Sequence, residues 1–132
     1  MQILVIAATS PEIEPFTAVN RHVDVLITGV GVPSTMYQLQ KQIQQVDYDC
    51  IIQAGIAGSF NNDIELGKAV MVHQDCFADL GIEEKGIYVP IFNTGFASKD
   101  EFPFTDGWLL NPNEVLSKIK LPKVKAITVN KI

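Results

Sequence analysis

A chain of 132 residues, 47% of them hydrophobic and 19% charged, falls within the range of one globular domain, so a single domain spanning residues 1–132 is expected. Its formal net charge of −5 supplies no concentrated field of Lys and Arg, which argues against nucleic acid or an anionic membrane surface as a partner. The opening run from Met1 to Ala8 is too short to span a bilayer and lacks a basic leader, so a cytoplasmic protein is expected.

Ile3 to Ala8 is a continuous apolar run, as are Val23–Ile27, Cys50–Ile56 and Ala69–Val72; runs of this length between turn signals predict parallel strands covered on both faces. After the first, Ser10 suits a helix cap and Pro11 the first helical position, with Pro15 expected to shorten or kink the helix. Between the second and third runs Met36, Leu39, Ile43 and Val46 follow Ser34 at three- and four-residue steps. They predict a helix with one apolar stripe and glutamines opposite, and hence a strand–helix–strand unit.

Asn61–Asp63 and Leu66–Gly67 carry turn chemistry, and Lys68–Leu80 reads as a long strand against which Ile87–Phe92 is expected to pair. From Phe92 to Trp108 five aromatics stand among Gly, Pro and acids without any period, which reads as a long loop. Asn111 and Pro112 then open a helix carrying Val115, Leu116 and Ile119, and Val124–Val129 forms a last strand. A final buried strand needs a cover on its second face, from a partner chain or from further sequence.

Several features could carry chemistry. Gln53–Ser59 ends a buried strand with glycines, where backbone can approach a ligand; a tight turn explains the same residues about equally well. Gly29-Val30-Gly31 invites comparison with a dinucleotide fingerprint, but Ser34 stands at the third glycine, so a nicotinamide or flavin cofactor is not expected. Glu12 follows the first strand in the first helical turn, near the mouth of any site at the carboxyl ends of the strands, although acids are common in such turns. His22 and His73 are isolated, and no zinc-ligand spacing joins either to Cys50 or Cys76, so no metal is expected and the cysteines read as buried thiols. Asp75 and Asp79 share a strand face, with the solvated side slightly favoured over a site.

Taken in order, Ile3–Thr9 with Glu12, Thr28–Gly31, Ala54–Gly58 and Leu66-Gly67 resemble the opening half of the nucleoside phosphorylase/nucleosidase family. Ala7–Thr9 leading to Glu12–Phe16, with Gln74-Asp75 and Ala78–Gly81, is most similar to its futalosine hydrolase branch, and next to the methylthioadenosine/S-adenosylhomocysteine nucleosidases. The resemblance spans essentially the whole chain. It implies a three-layer α/β/α fold with a mostly parallel or mixed twisted sheet, a purine nucleoside as small-molecule partner, and a homodimer or higher homo-oligomer. It also implies that Glu12 activates water and that Thr9, Ile56, Ala57 and Gly58 contact the substrate.

Cleavage of an N-glycosidic bond needs a carboxylate to position water and an acid to protonate the departing purine. The family's Met-Glu-Gly-like and Ser-Asp-like segments, which hold its ribose-binding glutamate and purine-protonating aspartate, occur nowhere in residues 1–132. The resemblance therefore implies an N-terminal part of such a domain, lacking its last strands and helices. Arg21 is the single arginine, which favours water over phosphate as nucleophile, because phosphate binding draws on arginine forks. Phosphorolysis and a noncatalytic role in binding a nucleoside or partner are the competing readings.

Overall fold

A computed structural model describes residues 1–20 and 22–131; Arg21 thus lies outside the described residues. Among them the chain is a mixed α/β protein with three sheets and three α-helices. It divides into two compact units, Met1–Asn62 and Asp63–Ile132. No described helix is long and apolar enough to cross a membrane.

In the first unit β1 (Ile3–Ala7), β2 (Asp24–Ile27) and β3 (Cys50–Gln53) form a parallel sheet in the order β2-β1-β3. Leu4 pairs with Asp24 on one side and Ile51 on the other, so β1 is the central strand. Its apolar run is accordingly buried from Leu4 to Ala7, and Ile13 of α1 (Ser10–Val19) packs against Val5 and Ala7. The strand expected over Cys50–Ile56 ends earlier, at Gln53, and Ile51 and Ile52 remain 41% and 46% exposed. The reason is position: β3 is the outer strand of its sheet, paired on one edge only.

Helix α1 begins one residue before the expected start, because Thr9, still extended, is its cap. Pro15 does not end it; the helix continues through to Val19. Helix α2 (Val32–Ile43) forms as expected but is rotated from the predicted stripe. Leu39 is half-buried together with Thr35, Gln38 and Gln42, whereas Met36 is 66% exposed and Ile43 is also outside. Hydrogen bonds set the rotation. The Ser34 hydroxyl donates to the Thr28 carbonyl at 2.6 Å, the Thr28 and Thr35 hydroxyls meet at 3.2 Å, and Gln42 donates to Tyr48 at 2.7 Å. Gly29 makes the entry possible: its φ is +81°, and a Cβ there would sit 2.5 Å from Ser34 Oγ.

In the second unit a four-stranded sheet has the order β7-β8-β4-β9, with β4 (Met71–Phe77), β7 (Phe104–Thr105), β8 (Trp108–Leu110) and β9 (Lys123–Thr128). β4 runs parallel to β9 and antiparallel to β8. The predicted strand over Lys68–Leu80 is shorter, ending at Phe77, and Ile87–Phe92 meets the residues after it through the Ile91 N–H, which donates to the Leu80 carbonyl at 2.9 Å, and the Tyr88 hydroxyl, which donates to the Ala78 carbonyl at 3.2 Å. β6 (Ile87–Pro90) itself folds back on β5 (Gly81–Glu84), because Lys85 and Gly86 both take positive φ and make the two-residue turn that closes a hairpin.

The aromatic stretch is also more ordered than a loop. A 3-10 turn at Ile91–Asn93 precedes the β7–β8 hairpin, whose turn residues Asp106 and Gly107 again have positive φ. Phe104 meets Phe92 and Phe77 edge-on at 5.1 and 6.5 Å, and Lys125 Nζ lies 5.0 Å from the Trp108 ring centroid. Phe96 and Phe102 remain exposed. The helix expected after Pro112 is a single turn, α3 (Val115–Lys118), and its entry is held by Asn113 Oδ1, which accepts the Val115 N–H at 2.9 Å.

Candidate active site

The chain crosses from β1 through α1 to β2 on one side, then returns through α2 to β3 on the other side of β1. Such a reversal of strand order opens a crevice beyond the carboxyl ends of the two strands where it occurs, here β1 and β3. Glu12 enters that crevice from the first turn of α1, and Ala54 and Gly55 enter it from the end of β3, where the Ala54 N–H makes a last bond to the Ile6 carbonyl at 2.9 Å. Beside them, running back along the sheet face to the paired mid-strand residues Val5 and Ile52, is a depression of about 410 Å³ lined by Val5, Glu12, Ile13, Pro15, Phe16, Ile52, Ala54 and Gly55. Glu12 is the one ionisable side chain in this lining.

Glu12 Oε2 accepts the Thr9 N–H at 2.9 Å, the return bond of a capping box at the start of α1. This bond fixes the carboxylate against its own helix. Opposite it stands Gly55: a Cβ built there would lie 3.7 Å from Cδ and Oε1 and 3.8 Å from Oε2 of Glu12. No side chain of residue 55 therefore covers the carboxylate. A carboxylate tethered through one oxygen and lining an apolar depression can orient a small hydroxylic molecule and accept its proton.

The structure brings Thr9 and Glu12 together, the Thr9 N–H donating to Glu12 Oε2. Ile56, Ala57 and Gly58 follow Gly55 in irregular, exposed backbone and are not in the lining of this depression; Ile56 is 82% exposed. The wall is made by residues the sequence did not single out as a set: Ile52 and Ala54 from β3 and its end, and Pro15 and Phe16, three and four residues after Glu12 and so on its helix face. That spacing was the available signal.

The other candidates have structural roles. Gly31 stands as the cap of α2, with φ +91°. Asp75 and Asp79 are both half-buried, Asp75 in a part-buried contact and Asp79 in exposed ones. Asp75 Oδ2 accepts the Thr128 hydroxyl at 2.6 Å, and Asp79 accepts the backbone N–H groups of Asn130 and Lys131 at 2.5 and 3.2 Å, because β9 lies beside β4. His22 is exposed, and His73 is half-buried on β4. Cys50 and Cys76 are free, half-buried thiols; burial, with the nearby Asp75 charge adding to it, pushes the Cys76 thiol above its ordinary value. No group of three or more metal-ligating side chains occurs among the described residues. Comparison of the chain with protein-family models, with curated proteins and with solved structures returned no match.

Proposed function

We propose that the chain belongs to the nucleoside phosphorylase/nucleosidase family, with its three-layer α/β/α fold, and hydrolyses the N-glycosidic bond of a purine nucleoside, with futalosine or its aminodeoxy form as substrate. The observation that carries this reading is the Glu12 carboxylate at the point of strand-order reversal, tied to the Thr9 N–H by one oxygen and bordered by the bare backbone of Gly55. Glu12 orients a water and takes its proton as oxygen bonds to the anomeric carbon. The C–N bond electrons leave with the purine, which must itself gain a proton. No residue of the depression other than Glu12 can exchange that proton, so its donor belongs to another part of the site.

The depression contains no basic side chain and the sequence one arginine, which favours water over phosphate as the nucleophile. Incubating a full-length version, extended to carry Met-Glu-Gly-like and Ser-Asp-like segments, with futalosine in phosphate-free buffer is expected to release hypoxanthine. Turnover only on addition of phosphate, with a sugar 1-phosphate as product, would establish phosphorolysis instead. Saturable binding without either product would establish a noncatalytic nucleoside-binding role, which the lone acid of the depression also suits. The exposed Phe96 and Phe102 support the homo-oligomer of this reading, and sedimentation equilibrium of the Phe96→Ser, Phe102→Ser double variant tests it through a shift towards monomer.

A further inference from the structure

Gly55 is a glycine that the fold does not demand. Its φ lies outside the left-handed region, and the nearest atoms a Cβ would meet are 3.7 Å away, ordinary contact rather than a clash. Gly29, by comparison, has both a positive φ and a 2.5 Å obstruction. What a side chain at position 55 would meet is specific: the three nearest atoms are Cδ, Oε1 and Oε2 of Glu12. Oε2 is already bonded to the Thr9 N–H, and a methyl group on residue 55 would rest in contact with the carboxylate, 3.7 Å from Oε1 and 3.8 Å from Oε2. A molecule hydrogen-bonded to a carboxylate oxygen sits about 2.7–2.8 Å from it, so one approaching from the Gly55 side would compete with such a methyl for space.

We infer that Gly55 is a positioning residue, whose missing side chain keeps the approach to the Glu12 carboxylate from its own side open for a small hydroxylic molecule, the attacking water if the hydrolase reading above holds. The inference rests on that reading for the identity of the molecule and on geometry alone for the open approach. Glu12 binds and deprotonates; Gly55 acts through it by leaving room.

Access to the carboxylate can be measured without turnover. Carbodiimide-driven coupling of glycine ethyl ester to the full chain, followed by peptide mass spectrometry, reports the labelling rate at each acid. Gly55→Ala and Gly55→Ser are expected to slow labelling at Glu12 several-fold while leaving exposed Glu14, on the same helix, unchanged. A parallel loss at both sites would mean a general change in the helix and would overturn the inference, as would an unchanged rate at Glu12. Hydrolysis supplies the second readout: Gly55→Ala is expected to lower kcat by about tenfold with little change in KM, because water rather than nucleoside is displaced. If the full-length version releases no purine while the labelling contrast persists, the hydrolase reading falls and the open approach stands. If the parent is active and Gly55→Ala matches it in both readouts, the positioning role falls alone.

Discussion

Replacing Glu12 separates its two jobs, because the same carboxylate caps α1 and faces the depression. Glu12→Ala removes the 2.9 Å bond from Thr9 N–H and a negative charge from a helix N-terminus, a loss of about 1 kcal/mol for a half-exposed cap. Glu12→Gln keeps an oxygen able to accept the Thr9 N–H and loses only the charge, so about 0.5 kcal/mol is expected. Catalysis orders the two differently. An amide accepts no proton, so Gln should be nearly as damaging as Ala, with a fall in kcat of about 10²–10⁴-fold. That corresponds to about 3–5 kcal/mol of transition-state stabilisation, several times the capping contribution. Urea unfolding measures the first quantity and purine release at saturating nucleoside the second. The reasoning is refuted if Glu12→Gln hydrolyses at close to the parent rate, or if both variants lose activity only in proportion to their loss of stability.

Leu4 is the largest fully buried side chain, at 1% exposure in the central strand, so Leu4→Ala should destabilise the first unit by about 2–5 kcal/mol, read as a lowered urea midpoint. Gly29→Ala meets both a positive φ and the Ser34 hydroxyl, and should cost about 1–3 kcal/mol in the same assay; a neutral result would mean that the turn before α2 readjusts freely. Lys99 holds the Asp106 carboxyl below its ordinary value, and Asp106 raises the Lys99 ammonium. Their contribution should therefore be present across the neutral range, fade as pH falls through the lowered Asp106 value, and fade again as pH rises through the raised Lys99 value. The pair is fully exposed, so the effect is small and salt-sensitive; Asp106→Asn, which suits the positive φ at this site, should abolish it at neutral pH and change nothing in strong acid.

Continuous apolar runs made the parallel strands of the first unit legible: β1 and β2 coincide closely with theirs, and Glu12 could be singled out because it follows the first of them. What the runs could not carry was lateral order. Gly55 becomes the neighbour of Glu12 only because β3 lies beside β1, a pairing between distant segments with no local signature. The rotation of α2 escaped for a related reason: Met36 and Ile43 look like core, yet hydroxyl and amide bonds to Thr28 and Tyr48 outweigh their stripe. β7 and β8 span two and three residues, too few to display alternation. Asp75 read as solvated because its partner, Thr128, arrives from β9 far along the chain.

The central place of β1 bears on how the chain is made. β1 precedes both of its neighbours in the chain yet is the central strand of its sheet, and neither neighbour is a hairpin partner: one edge pairs with Asp24–Ile27 and the other with Cys50–Gln53. Until those segments emerge, Leu4, Val5 and Ile6 have no paired strand to lie in, and an unpaired apolar strand is a template for wrong partners. Formation of this unit requires closing two long loops onto the β1 segment, which favours slow folding.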